Sequence, residues 1–216
     1  MKTKLALLSL SGLLLIGCGD ETVDNTGKES EAASSSEVVE NKKEDPKDEM
    51  LVTGGPLLEP GQYKNDEEFG RIELLKITSP GNENEIAPGL FLTLKDVKVL
   101  NFEDIPEENQ EYAEAYYGFK DSQGYQLQFE YTVDNQNDYS IDNTVIEKII
   151  LSDGEQVTRD MYLDETFELE ANSKASGQIG GIEVPTPDID SATFYINPYD
   201  TENYEQIETT PVKVEF

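Results

Sequence analysis

The chain has 216 residues, with 46 acidic against 16 basic side chains, a formal net charge of −30, and neither histidine nor tryptophan. That balance argues against nucleic acid and against adsorption on anionic headgroups, both of which need Lys/Arg patches. Without histidine, Ser-His-Asp and Cys-His catalysis and the usual zinc and copper ligands are excluded, which leaves carboxylates, Lys, Tyr, Ser and Thr for any chemistry.

Lys2 and Lys4 precede an apolar run from Leu5 to Ile16 that is broken only by Ser9, Ser11 and Gly12. This is the layout of a secretory signal peptide. About 12 residues are too few to cross a hydrocarbon core that needs roughly 20 in a helix. Leu15-Ile16-Gly17-Cys18 then reads as a lipobox, with the small Gly17 before the single cysteine of the chain. The expectation is cleavage before Cys18 and attachment of a diacylglycerol thioether to its sulfur. Each buried methylene contributes about 0.8 kcal/mol, so two acyl chains hold a protein that one would hold only marginally. A lipidated Cys18 is unavailable for disulfides, so the exported part must be stabilised by its hydrophobic core. Cleavage removes two of the 16 basic residues and no acidic one, leaving 14 against 46 and a net charge of −32.

From Gly19 to about Met50 the chain is dominated by Glu, Asp, Ser, Lys and Asn, with Ser34-Ser35-Ser36 and a nearly all-polar run from Glu40 to Glu49. This composition is that of a disordered segment. A coil of about 32 residues spans roughly 30 Å, enough to lift a domain off a bilayer. Between Leu51 and Gly70, Gly54-Gly55-Pro56 and Pro60-Gly61 punctuate a weakly apolar lead-in.

From Arg71 short β-like runs alternate with turn residues. Leu90, Leu92 and Leu94 alternate, and Val97 and Val99 continue one residue out of phase, which predicts a β-bulge or bend near Lys95-Asp96. Tyr125 to Asp134 is the clearest strand, with Leu127, Phe129, Tyr131 and Val133 on one face before the turn Asn135-Gln136-Asn137-Asp138. Val145 to Leu151, Ser152-Asp153-Gly154 and Gln156 to Leu163 predict a hairpin. Lys174 to Val184, with Gly177, Gly180 and Gly181, predicts a strand with a bulge or close backbone approach. Ala192, Phe194 and Ile196 form the next inward row, and Val212, Val214 and Phe216 the last.

One helix is expected from Pro106 to Tyr117. Pro106, Glu107 and Glu108 suit a first turn, and Gly118 suits the residue just past the end. Tyr112, Ala113, Tyr116 and Tyr117 recur at one-turn spacing. They are expected to form its packing face, with a carbohydrate-stacking platform as the alternative.

Three runs carry a resemblance. They are Tyr125-Gln126-Leu127-Gln128-Phe129-Glu130-Tyr131-Thr132-Val133-Asp134-Asn135, Leu151-Ser152-Asp153-Gly154-Glu155-Gln156, and Ser176-Gly177-Gln178-Ile179-Gly180-Gly181-Ile182-Glu183-Val184-Pro185. The chain resembles the C-terminal domain of uncharacterised Gram-positive surface lipoproteins over roughly residues 71–216. In that group a strand ends in an Asn-containing turn, a hairpin carries a Gly-Glu-Gln-like turn, and a Gly-led strand ends near proline. The resemblance implies an immunoglobulin-like β-sandwich and says almost nothing of function.

The expected fold is therefore all-β: an immunoglobulin-like β-sandwich of about seven strands with a short helical insert at 101–123, preceded by a signal peptide and a disordered acidic linker. The expected divisions are 1–17 (signal peptide), 18–56 (lipidated linker) and 57–216 (sandwich, core about 71–216).

Carboxylate loops of extracellular sandwiches can hold calcium. The best spacing, Asp134-x-Gln136-x-Asp138-x-Ser140-x-Asp142, lacks the sixth-position glycine of an EF-hand and has Val145 at the twelfth position. Two further clusters, Asp160/Asp164/Glu165 and Asp200/Glu202/Glu205, have no diagnostic spacing. No metal, cofactor or catalytic residue is assigned, and Cys18 is the one assigned site, for lipid. The expected role is a non-enzymatic binding or accessory module. It would be tethered to the outer membrane face of a Gram-positive-type envelope, with an envelope protein or polymer as partner and no nucleic acid. The binding surfaces would be the 134–143 turn, the 101–123 insert and the 198–205 loop. A carboxylate-pair hydrolase of wall glycan and a structural or calcium-binding module are the alternatives. A transporter binding protein is disfavoured by short length and the lack of a βαβ pattern.

Overall fold

The computed structural model describes residues 48–120, 122–158 and 166–216. The signal peptide, Cys18, the linker to residue 47, the Asp160/Asp164/Glu165 cluster and residues 159–163 of the return strand lie outside these. Twelve strands and one helix occur among the described residues: β1 (Tyr63–Asp66), β2 (Gly70–Thr78), β3 (Glu83–Ala87), β4 (Leu90–Glu103), α1 (Glu107–Tyr117), β5 (Gly124–Asn135), β6 (Ile141–Asp142), β7 (Ile146–Leu151), β8 (Gln156–Thr158), β9 (Ser173–Val184), β10 (Ser191–Ile196), β11 (Tyr199–Asp200) and β12 (Val212–Glu215). The fold is all-β with one short helix. The strand number exceeds the expected seven because β1, β2 and β3 extend one sheet beyond β4 and because β6 and β11 form a two-residue ladder of their own. The lead-in expected over 51–70 is built into the sheet: β1 lies in it, Val52 N–H bonds Tyr63 O, and Leu57 is buried.

Six strands form one antiparallel sheet in the order β1-β2-β4-β5-β9, with β3 also on β4. Four form a second, β12-β10-β7-β8. β4 changes phase where expected. Leu94 pairs with Tyr131 and Asp96 with Glu130, so the exposed Lys95 is the extra residue. This one-residue bulge returns Val97 and Val99 to the face that holds Leu90, Leu92 and Leu94. In β9 the register against β5 slips between Tyr131 and Val133, leaving Ser176 and Gly177 opposite one residue; Gly177 has a φ of 69° that a side chain would disfavour. The β7–β8 hairpin turns at Gly154 (φ 88°), with the Asp153 carboxylate accepting the Glu155 N–H at 2.9 Å.

The inward faces of the two sheets share one core. Leu127, Phe129, Tyr131 and Val133 of β5 meet Ile146, Ile149, Phe194, Ile196, Val212 and Val214 of the second sheet, and all are buried. The Phe129 and Phe194 rings meet edge-on at 5.3 Å.

A second, smaller core lies on the outer face of the six-stranded sheet. Beyond the bulge, Leu100 and Phe102 of β4 point away from the inter-sheet core, beside Ile72 and Leu74 of β2. Ile105, Ala113 and Phe119 cover them. The connection that carries α1 starts at Asp104, not residue 101, because β4 runs on through Glu103. Pro106 precedes α1, and Gly118 ends it in the left-handed region (φ 74°) with its N–H on the Glu114 carbonyl. Phe119 then lays its ring on Gly124, where a Cβ would collide with it.

Candidate functional site

The tyrosine stripe divides in two. Ala113 is fully buried and Tyr117 half-buried against the sheet, but Tyr112 and Tyr116 are 43% and 41% exposed. Their rings stack on one another at 4.3 Å. The expectation that all four residues form the packing face is thus corrected. A helix that meets a sheet through one alanine brings only a narrow stripe down, and the residues beside that stripe stand at the edge. Phe69 fills the space below, 5.3 Å from Tyr117 and 6.1 Å from Tyr112. Burial, then neighbouring Tyr112, Glu68 and Asp66, raises the pKa of the Tyr117 phenol.

Next to the C-terminal turn of α1 is a groove of about 300 Å³ on the outer sheet face, at the low end of small-molecule sites. Tyr116, Tyr117 and Gly118 form one wall, and Gln126, Gly181 and Glu183 form the floor and the far side. The floor follows from register. Gln126 of β5 pairs with Leu100 of β4 on one side and Glu183 of β9 on the other, so amide and carboxylate share the outer face. Gly181 leaves room for the amide; a Cβ there would stand 2.8 Å from Gln126 Nε2. Gly118 does the same for Glu183, whose carboxylate folds over it. Glu183 is exposed as a residue, but partial desolvation of its carboxyl raises its pKa, and Lys120 acts in the opposite direction.

Three polar side chains are buried among the described residues: Gln126, Asn135 and Thr144. Thr144 Oγ1 reaches the carbonyls of Thr166 and Phe167 at 2.9 and 3.0 Å. Asn135 Nδ2 lies 2.9, 3.3 and 3.0 Å from the carbonyls of Tyr139, Leu169 and Glu170, and its Oδ1 accepts the Asn137 N–H. Gln126, only 3% exposed, has no side-chain hydrogen-bond partner among the described residues. A buried amide left so costs about 1–3 kcal/mol. Sequence reading missed Gln126, which sits on the polar side of an alternating strand. Its amide lies against Gly181 of the neighbouring strand, a cross-strand contact that a period of two does not reveal.

The other two expected surfaces meet at the far end of β5. β6 in the 134–143 turn pairs with β11 in the 198–205 loop, and the Tyr199 hydroxyl donates to Asp142 at 2.6 Å. The expected calcium carboxylates are already engaged there. Asp134 pairs with Lys174 at 3.4 Å, and Asp142 also accepts the Asn143 N–H. Asp200 accepts the backbone N–H groups of Glu202 and Asn203 and the Asn203 amide. Among the described residues no three His, Cys, Asp or Glu side chains converge as metal ligands.

No family model and no curated protein matches the chain. Among solved structures it is similar to a functionally unknown protein from Listeria monocytogenes EGD-e, at 13% identity and a TM-score of 0.46, over 67% of this chain and 86% of that one. It is also similar to the Northeast Structural Genomics Consortium target SoR45, at 13% identity and a TM-score of 0.36, over 60% and 89% respectively.

Proposed function

We propose that this chain is an extracellular lipoprotein, tethered through Cys18 to the outer face of a Gram-positive-type membrane, that presents a non-enzymatic binding module to the envelope. The observation that carries the binding reading is the groove beside α1, lined by the buried Gln126, whose amide has no hydrogen-bond partner among the described residues. The tether reading rests on Leu15-Ile16-Gly17-Cys18, the single cysteine, and the acidic run that follows it. The acidic linker would hold the folded part clear of the bilayer, and like charge would keep neighbouring copies apart.

The fold within this proposal is an immunoglobulin-like sandwich. Its strands A, B and E would be β4, β5 and β9, and G, F, C and C′ would be β12, β10, β7 and β8. Support comes from the strand orders β4-β5-β9 and β12-β10-β7-β8, which match that arrangement. On this reading β1–β3 are an N-terminal addition alongside strand A, and α1 fills the A–B connection.

Two measurements test the proposal. Mass spectrometry of the mature protein should find a diacylated N-terminal Cys18, and Cys18→Ala should be released or left unprocessed. An unlipidated mature N-terminus elsewhere removes the tether. A pull-down from envelope fractions with the full chain, with and without calcium, should capture a specific protein or polymer. The same sample should leave wall glycan intact; reproducible cleavage abolished by one Asp or Glu substitution would make the protein a hydrolase instead.

A further inference from the structure

The outward side of α1 combines exposed aromatic surface with unpaired negative charge. Residues four apart stand one above another on a helix, so Glu108, Tyr112 and Tyr116 form one row, with Glu111 and Ala115 in the row beside it. The Tyr112 and Tyr116 rings stack at 4.3 Å and remain 43% and 41% exposed. The turn between β1 and β2, which carries the exposed Glu67 and Glu68, adjoins the tyrosine row. Phe69 of that turn sits 6.1 Å from Tyr112, and the Asn109 amide donates to the Glu68 carbonyl at 3.1 Å. Helix stability does not account for these charges. Glu107 and Glu108 suit the positive end of the helix, but Glu111 follows them by four and three residues, and α1 has no Lys or Arg to offset the repulsion. Among the described residues no ion pair reaches an α1 glutamate. Elsewhere the chain covers tyrosine rings with its own cations: Arg71 lies 3.5 Å over Tyr63 and Lys148 lies 4.3 Å over Tyr195. Tyr112 and Tyr116 have no such cover among the described residues.

A second copy of this chain, or an anionic polymer, would meet its own sign of charge here. An uncharged apolar segment would desolvate the carboxylates without pairing them. We propose that this face of α1 docks a basic, arginine- or lysine-bearing segment of another protein. Its cationic side chains would lie over the Tyr112–Tyr116 pair and pair with Glu108, Glu111 and Glu68. The proposal rests on the binding-module reading and gives that module a surface of its own on α1. From Glu108 to Tyr116 the row runs about 12 Å at about 1.5 Å per residue. That is the length of about four residues of extended chain, whose same-side residues recur about 6.6 Å apart. Cationic residues at alternate positions would thus fall near successive turns of the helix.

The test is NMR titration of the full chain with hexa-arginine, and with hexaglutamate as the opposite charge. It is run at about 0.15 M salt, where surface charges more than about 8 Å apart are largely screened. Hexa-arginine should shift the backbone amides of residues 107–117 and 67–69 saturably, and hexaglutamate should not. Joint Tyr112→Ala and Tyr116→Ala leaves the charge as it was and should weaken binding about fivefold or more. Joint Glu68→Gln and Glu111→Gln should weaken it about threefold. Joint Glu202→Gln and Glu205→Gln, the same change of charge in the 198–205 loop, should alter it by less than about twofold. Glu111→Gln also relieves like charge within α1, so a loss of binding in that variant does not come from unfolding. Shifts spread over the whole acidic surface, or tyrosine variants that bind as the wild type does, would show general attraction to a polycation and overturn the proposal. Absence of hexa-arginine binding overturns it too. If the tyrosine variants then still capture an envelope component, the binding module stands on another surface; if the wild type captures nothing either, both readings fall.

Discussion

β5 carries a buried amide near each end, and the two have opposite circumstances. At its C-terminal end Asn135 has three carbonyls and one backbone N–H for partners, and it fastens the 136–143 turn to the segment around Leu169. Near its N-terminal end, roughly 30 Å away at about 3.4 Å per residue, Gln126 is nearly as buried and has none among the described residues. Both residues are amides of one strand, with Asn135 on the face of Leu127, Phe129, Tyr131 and Val133 and Gln126 on the opposite one. What separates them is whether the surrounding chain supplies its own complement. A satisfied amide belongs to the fold, whereas an unsatisfied one beside a cavity marks where something external completes it.

The largest expected effect comes from the core between these ends. Phe129 is fully buried against Phe194, and Phe129→Ala should cost about 3–5 kcal/mol, read as a fall in the urea midpoint. With no disulfide to compensate, a loss of that size is a large share of a domain's stability. Both amide regions should unfold together. Loss of the Asn135 turn alone, with the α1 end intact, would show the ends to be independent units.

Next is Asn135→Ala. The Tyr139 carbonyl would lose its side-chain donor, while those of Leu169 and Glu170 keep the Ile141 N–H and the Ser173 hydroxyl, and the cost should be about 1–3 kcal/mol. Amide exchange should rise in residues 137–143. The counterpart, Gln126→Leu, removes an amide that has no partner among the described residues, so stability should stay within about 1 kcal/mol of the wild type or increase. If the two substitutions cost the same, a protein partner for Gln126 exists and the contrast between the ends disappears.

The sequence reading went furthest where one face decides burial. Period two placed Leu127, Phe129, Tyr131 and Val133 in the core, and the phase slip after Leu94 located the Lys95 bulge. Gly177, Gly180 and Gly181 together predicted a bulge or a close backbone approach, and the bulge occurs at Ser176-Gly177, while Gly181 meets the Gln126 side chain. β1 was not legible, because Tyr63-Lys64-Asn65-Asp66 has no apolar alternation and is held by pairing with β2. The groove was legible only in part. The tyrosines stood out, but Gln126 is buried through register, which sets its amide against Gly181 of β9. Likewise the meeting of the 134–143 and 198–205 loops depends on a two-residue ladder, too short to leave a signal.

The smallest effect expected is the pH response of Glu183. Partial desolvation raises its folded-state pKa above the ordinary glutamate value of about 4.3, and Lys120 only partly offsets this. Below the unfolded-state pKa the carboxyl is protonated in both states, and the folded protein bears no cost from it. As pH rises through the folded-state value, the unfolded chain releases the proton more readily, so the stability contributed by the protonated carboxyl is lost. Glu183→Gln keeps a neutral group at every pH. The variant should match the wild type near pH 3.5–4 and become slightly the more stable towards neutrality. Because Glu183 is largely solvent-exposed, the gap should be small. Paired urea midpoints at the two pH values cancel the contribution of the many other carboxylates, which both proteins share. A variant less stable at neutral pH would mean that attraction to Lys120 outweighs burial. The rim of the groove would then be an ionised site.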